Sequence, residues 1–357
     1  MVTDAGRPMT LAERLLARLS RPRGVVPEYV GPRCLRRRFI RSTCRRCLEE
    51  CPVQALSAGE GEVGLDSRRC TGCLACVAVC PSGALVARDP RPGRVAERLF
   101  ARAGGGAVLC CEKGMRDGSE LLLPCLGMLS REELALFALL AGSLTLRLHP
   151  CQKCHSPQVP ALLQGRVEQL VALGGGEMAP PPIELRLVES PAGGGGGVQS
   201  ETEPAGGAPG DRRDFFRACK TLSFQAAVES WGVIREEPER PEERWASTKH
   251  LPPRFALLER AWSRWEAEPG RRNLLLPLLT MVTVGDQCTH CGACVGLCPS
   301  GAISSEEGEE GSRLLFSWSR CCACGLCREF CPARAITLDP VTDPARLAER
   351  TREIHRR

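Results

Sequence analysis

The chain has 357 residues, among them 23 cysteines, 37 glycines, 28 prolines and a single tyrosine, with a formal net charge of +6. That length allows two or three domains, and 4% aromatics means an aliphatic core. No secretory signal opens the sequence, and the longest apolar runs, Leu134–Leu146 and Leu274–Val284, are too short to span a bilayer. The sequence therefore reads as a soluble, cytoplasmic protein without a membrane span. A disulfide framework is excluded on that reading, which leaves metal binding as the main use of cysteine.

Residues 1–24 read as a short amphipathic N-terminal helix. Residues 25–94 form the first cysteine-dense module, in which Arg36, Arg37, Arg38, Arg41, Arg45 and Arg46 crowd one segment. Only Phe39 interleaves there to stack on bases, so the segment reads as a solvated basic face rather than a nucleic-acid site. Short apolar stretches at Leu56, Val63–Leu65 and Leu85-Val86 fit small β-pairs around cysteine loops.

Residues 95–189 change character. Strand-length runs at Ala107–Cys111, Leu121–Leu123, Leu144–Leu148 and Ile183–Val188 alternate with helical segments. Ser130-Arg131-Glu132-Glu133 is a capping box opening a helix that stops at Gly142, and a second helix is expected over Val159–Leu173. Strands alternating with helices predict a small α/β domain with a parallel sheet. Residues 190–212 are a Gly/Pro-rich flexible linker, and 213–272 a charged helical segment anchored by tryptophans. Residues 273–340 repeat the cysteine-dense module, and 341–357 read as a C-terminal helix or tail. The fold class expected is α+β, two like modules flanking the α/β domain.

Three runs share one spacing: Cys70-x2-Cys73-x2-Cys76-x3-Cys80-Pro81, Cys288-x2-Cys291-x2-Cys294-x3-Cys298-Pro299 and Cys321-x2-Cys324-x2-Cys327-x3-Cys331-Pro332. Three thiolates in steps of three wrap one cubane cluster, and the cysteine before proline turns to the neighbouring cluster. Zinc takes two CxxC pairs separated by a spacer, not this pattern. On this reading Cys288, Cys291 and Cys294 pair with Cys331, while Cys321, Cys324 and Cys327 pair with Cys298.

The first run departs from it. Cys44-x2-Cys47-x3-Cys51-Pro52 has Arg41 at the expected first position, and Cys34 stands seven residues upstream of that position. Either Cys34 completes a set with Cys44, Cys47 and Cys80, or three cysteines hold a [3Fe–4S] cluster. Cys70, Cys73, Cys76 and Cys51 would hold the neighbour.

Through CTGCLACVAVCPSGAL, CTHCGACVGLCPSGAI and CCACGLCREFCPARAI, both modules resemble the bacterial-type dicluster ferredoxin domain. A chain with two such domains is similar to polyferredoxins and to the iron–sulfur subunits of larger redox complexes. The resemblance implies four [4Fe–4S] clusters, single-electron transfer, and redox proteins as donor and acceptor.

Five further cysteines lie between the modules: Cys110, Cys111, Cys125, Cys151 and Cys154. Each follows or ends an expected strand, so they should gather at the carboxyl edge of the sheet, where ligands bind in such folds. Their order resembles the cysteine-rich subunits attached to heterodisulfide reductases and their partner hydrogenases. A fifth iron–sulfur cluster, a zinc site or a reactive dithiol all remain open. His149 and His155 read as hydrogen-bonding neighbours rather than ligands, His290 as a surface residue of its loop rather than a tuner of the cluster's potential, and Cys322 as a bystander. No catalytic triad, flavin site or nucleotide fingerprint appears. The reading is an electron carrier or oxidoreductase subunit rather than a complete enzyme. The alternative is a cluster-fed thiol–disulfide oxidoreductase using the middle cysteines.

Overall fold

The computed structural model describes residues 25–59, 61–102, 104–115, 118–174, 183–186, 249–308 and 311–356. All of these fall in one compact unit. The expected N-terminal helix, the linker and most of the charged helical segment lie outside the described residues.

The first module opens with β1 (Glu28–Tyr29) and α1 (Leu35–Arg38), followed by α2 (Arg46–Glu49), β2 (Leu56–Ala58) and β3 (Val63–Leu65). It closes with α3 (Ala75–Val79) and β4 (Leu85–Val86). β1 pairs antiparallel with β4, and β2 with β3, Leu56 facing Leu65. These strands are short because each only brackets a cysteine loop. Leu56, Val63, Ala84 and Leu85 supply the small aliphatic core between the loops.

The middle domain follows with α4 (Arg91–Ala101), β5 (Ala107–Cys110), β6 (Leu121–Leu122), α5 (Arg131–Ala141), β7 (Leu144–Arg147), α6 (Val159–Gly174) and β8 (Ile183–Arg186). Its sheet order is β6-β5-β7-β8 with every pair parallel. α5 starts where the sequence places it: the Ser130 hydroxyl accepts from the Glu133 amide at 3.2 Å, and the Ser130 amide donates to the Glu133 carboxylate at 2.9 Å. Eight successive residues, Leu134–Ala141, are buried. A helix apolar all round must be covered on all sides, and α7 (Pro253–Arg264), from the far side of the linker, supplies part of that cover. Trp262 of α7 in turn meets Trp318 edge-on at 5.1 Å between centroids.

The second module comprises α8 (Pro269–Asn273), β9 (Thr280–Val284), α9 (Ala293–Leu297), β10 (Ile303–Gly308), β11 (Gly311–Ser317), α10 (Leu326–Phe330) and β12 (Ile336–Pro340). β9 pairs antiparallel with β12 and β10 with β11, repeating the first module's two pairs. The C-terminal segment differs from expectation. After a short helical turn at Pro344–Leu347 it forms β13 (Thr351–Arg356), paired antiparallel with β11. Its charged, alternating Thr-Arg-Glu-Ile-His-Arg pattern suits an edge strand that places charged side chains outward.

The basic segment is also placed differently. Arg37 pairs with Glu62, Arg36 donates to the carbonyls of Ser42 and Gly59, and Arg46 donates to the Ala323 carbonyl at 3.3 Å. Ser42 and Thr43 bond the Glu329 carboxylate, and Phe39 packs edge-on against Phe330 at 4.8 Å. The segment is largely a seam between the two modules, with Arg41, Arg45 and Arg46 exposed. Among the described residues no helix is long and apolar enough to cross a membrane.

Candidate metal centres

Backbone conformation sets the three regular cysteine loops. Gly72, His290 and Ala323, between the first two cysteines of each run, all have positive φ, and so do Leu74, Gly292 and Gly325 just after the second. For Leu74, His290 and Ala323 this left-handed state is strained, the kind of cost that concentrates at functional sites. Alternating right- and left-handed residues turn successive amides toward one point and form an anion-binding concavity. The irregular first run lacks this feature at its helix start, where Arg45 has φ −130°.

Four sets of sulfurs gather. Cys34, Cys44, Cys47 and Cys80 line one cavity, together with Tyr29, Pro81, Ala84 and Leu85. Cys51, Cys70, Cys73 and Cys76 line a second, walled by Pro27, Leu56, Leu65 and Leu74. Cys288, Cys291, Cys294 and Cys331 line a third. In the fourth set, Cys321 and Cys327 both sense the charges of Cys324 and Cys298. In each set one cysteine from a Cys-Pro end joins three from the other run.

The chemistry around these sulfurs suits thiolate ligands. In all four runs the last cysteine accepts a bond from the amide four residues on: Ala55 to Cys51 and Ala335 to Cys331 at 3.3 Å, Ala84 to Cys80 and Ala302 to Cys298 at 3.2 Å. Amide donors stabilise negative sulfur. Without a metal, burial holds the protons on several of these thiols. Burial, then neighbouring cysteines, pushes Cys47 up to about 12 and Cys294 to about 11. Burial also pushes Cys321 up to about 12. A positively charged centre would reverse that preference, so the residues present fit metal clusters.

Cys322 is more than a bystander. It is buried, and its thiol hydrogen-bonds Cys324, holding that thiol down at about 7. Its sequence signal was its place directly after the first cysteine of a run. His290 is half-buried, its Nε2 2.6 Å from Nδ1 of His355, and both rings lie beside Cys288.

In the middle domain Cys111, Cys125, Cys151 and Cys154 line a cavity of about 110 Å³. Cys111 directly follows β5, while Cys125 and Cys151 lie in the turns after β6 and β7, at the carboxyl edge of the sheet. Cys110 is wholly buried and does not line the cavity. Successive strand residues face opposite sides, so neighbours at a strand end cannot both face one cavity. His155 lines it and His149 does not; the Lys113 ammonium lies 3.7 Å from the Cys154 sulfur. Burial first, and nearby cysteines after it, pushes Cys125 up to about 12 and Cys151 to about 11.

The family model for a 4Fe-4S dicluster domain matches residues 41–84, and a second model of the same description matches 280–339. Hydrogenase-4 component A of Escherichia coli is 35% identical over 74 residues, 21% of this chain and 32% of that protein. One subunit of the ion-translocating oxidoreductase complex of Methanosarcina acetivorans is 42% identical over 45 residues, 13% of this chain and 17% of that one. The match thus spans a third or less of these two relatives. Ferredoxin-3 of Chlorobaculum tepidum is 45% identical over 49 residues, 12% of this chain but 79% of the ferredoxin. No solved structure matches. A repeated loop geometry, a repeated strand pairing and two family matches converge, and the chain belongs to the dicluster [4Fe–4S] ferredoxin family, whose domain it carries twice, as an iron–sulfur electron-transfer protein.

Proposed function

We propose that this protein relays single electrons between redox proteins, as a subunit or dedicated partner of an oxidoreductase complex. Its ligand sets are Cys34, Cys44, Cys47 and Cys80; Cys51, Cys70, Cys73 and Cys76; Cys288, Cys291, Cys294 and Cys331; and Cys298, Cys321, Cys324 and Cys327. The observation that carries the reading is that a Cys-Pro cysteine of one run lines the cavity of the other: Cys80 and Cys51 in the first module, and Cys331 in the second. A bound [4Fe–4S] cluster supplies one-electron redox chemistry at a potential set by its surroundings. Aliphatic side chains wall the loops, and backbone amides point at the sulfurs of the four Cys-Pro cysteines. Arg254 holds the Cys80 carbonyl at 2.5 Å, and Lys249 holds those of Val295, Gly296 and Cys298 at 2.8–3.0 Å. One short segment, Lys249–Arg254, thereby fixes the cysteine exchange in both modules.

The middle-domain thiols Cys111, Cys125, Cys151 and Cys154 form a fifth centre on this reading, with Cys110 a packing residue. The rival reading, a reactive dithiol, needs a thiol made acidic by its surroundings. Burial drives Cys125 and Cys151 the other way, and four cysteines lining one cavity are a ligand set where a dithiol needs two. The relatives named as hydrogenase and ion-translocating complex components support a place in a redox assembly. Iron and acid-labile sulfide in anaerobically purified full-length protein test the sets. About 16 of each from four clusters, and more with a fifth centre, is expected. A zinc-rich, colourless protein would overturn the reading.

A further inference from the structure

The cavity of the Cys51/Cys70/Cys73/Cys76 set and the middle-domain cavity have one residue in common, Thr71. Its neighbour Gly72 also lines the middle cavity, so the loop between Cys70 and Cys73 is a wall of both. The opposite side of the contact is just as close. A Cβ on Gly127, two residues after Cys125, would stand 2.4 Å from the Cys73 carbonyl oxygen, so only glycine permits this approach. Arg166 fixes it from behind, donating to the Gly127 carbonyl at 2.8 Å and the Leu129 carbonyl at 2.7 Å. Cys125 also lies close enough to sense the charge of Cys73.

At this wall stands a polar group with nothing to bond. The Thr71 hydroxyl oxygen is shut off from solvent and has no hydrogen-bond partner among the described residues. Such groups in native proteins call for an explanation, a bound group or ion among the foremost. The corresponding position in the last run is Cys322, whose side chain hydrogen-bonds the second cysteine of its loop, Cys324. Sequence position, orphaned hydroxyl and shared wall therefore agree.

We infer that Thr71 is the partition between two adjoining iron–sulfur centres and donates its hydroxyl hydrogen to a sulfur of one of them, so that the middle centre and the Cys51/Cys70/Cys73/Cys76 centre act as a coupled pair. This rests on the proposed reading that both cysteine sets hold clusters. A hydrogen bond to sulfur favours the more negative, reduced state and raises the potential of the centre that receives it. The middle domain is then joined electronically to the first module through residues 71–73, not merely packed against it.

The test is an EPR-monitored redox titration of the full-length protein, its Thr71→Val and Thr71→Ser variants and a Cys125→Ser variant, with iron and sulfide measured on each. Thr71→Val should lower one midpoint, shifting its reduction equilibrium about tenfold, as expected for a bond to a charged acceptor, or 59 mV for a one-electron couple. Thr71→Ser should keep the parent value. The first module's own two clusters already couple when fully reduced, so the parent should show broadening of the first-module signal beyond that pair, and Cys125→Ser should remove only the excess. If Thr71→Val leaves every midpoint in place, or the first-module signal is equally broad in the parent and in Cys125→Ser although iron for a fifth centre is present in the parent, this inference is wrong and the fifth-centre reading stands. If the parent carries iron for four clusters only and Cys125→Ser changes neither metal nor spectrum, the fifth-centre reading has failed and takes the inference with it. Iron and sulfide on each variant show whether its first-module clusters are intact, so poor folding of a variant cannot mask the outcome.

Discussion

Arg166 offers the sharpest perturbation of the contact between the middle domain and the first module. It lies on α6, is 4% exposed, and bonds the Gly127 and Leu129 carbonyls while pairing with the Glu50 carboxylate beside Cys51. Arg166→Met keeps the aliphatic stem and deletes all three interactions. Two carbonyls lose a charged donor, and a carboxylate three-quarters buried loses its counter-charge. Breaking one side of such a buried pair costs about 3–5 kcal/mol, a large share of the roughly 5–15 kcal/mol that holds a typical protein folded. Replacing both partners, as in Arg166→Met with Glu50→Leu, removes the stranded carboxylate and should recover about 1–3 kcal/mol as coupling. The assay is anaerobic bleaching of the visible absorbance at a fixed guanidinium concentration, a rate measurement suited to irreversible unfolding. Arg166→Met should bleach at least tenfold faster than the parent, and the double variant more slowly than the single one. The single variant bleaching within a factor of two of the parent, or the double one bleaching as fast as the single, would refute the reasoning.

Three other outcomes follow from the same geometry. Cys34→Ser should remove about 4 of about 16 iron atoms, or convert one cluster to a three-iron signal, because Cys34 shares a cavity with Cys44, Cys47 and Cys80; unchanged iron and EPR would exclude Cys34 from the set. Arg46→Ala should lower two midpoints and not one, since both Cys44 and Cys324 feel that guanidinium, and the fall should be modest and salt-dependent because the residue is exposed. In metal-stripped protein the folded thiols Cys47, Cys125 and Cys321 ionise only near 12, against 9.0 for an unperturbed thiol. Folded-state values above unfolded ones give stability that is complete below pH 9 and lost as pH rises towards 12. Helical circular dichroism surviving metal removal should therefore fall across that window, and a rise would contradict the burial.

Much of this architecture is legible locally. The Cys-Pro runs specify their loops because steps of three suit a tight wrap. The Ser130–Glu133 box specifies the start of α5, and the strand-length aliphatic runs specify a parallel sheet with cysteines at one edge. What escaped the sequence is what depends on distant partners. The arginines after Cys34 read as a solvated face, yet their neighbours Ser42 and Thr43 bond Glu329, 287 and 286 residues away. β13 was obscured by its charge, since an edge strand needs little apolar surface of its own. Cys110 and Cys111 cannot be told apart by composition; only the strand's alternation sends the first into the core. Thr71 is one of two unmarked positions between Cys70 and Cys73 in the sequence, and its orphaned hydroxyl is visible only once two cavities meet around it.

The most direct test of the central claim is an anaerobic dithionite titration of the full-length protein that counts electrons taken up per chain. Two dicluster modules predict about four electrons, with a further one if the middle centre is redox-active, all returned to an added one-electron acceptor. Uptake of two electrons or fewer by protein purified with its full metal content would contradict a four-cluster electron-transfer protein.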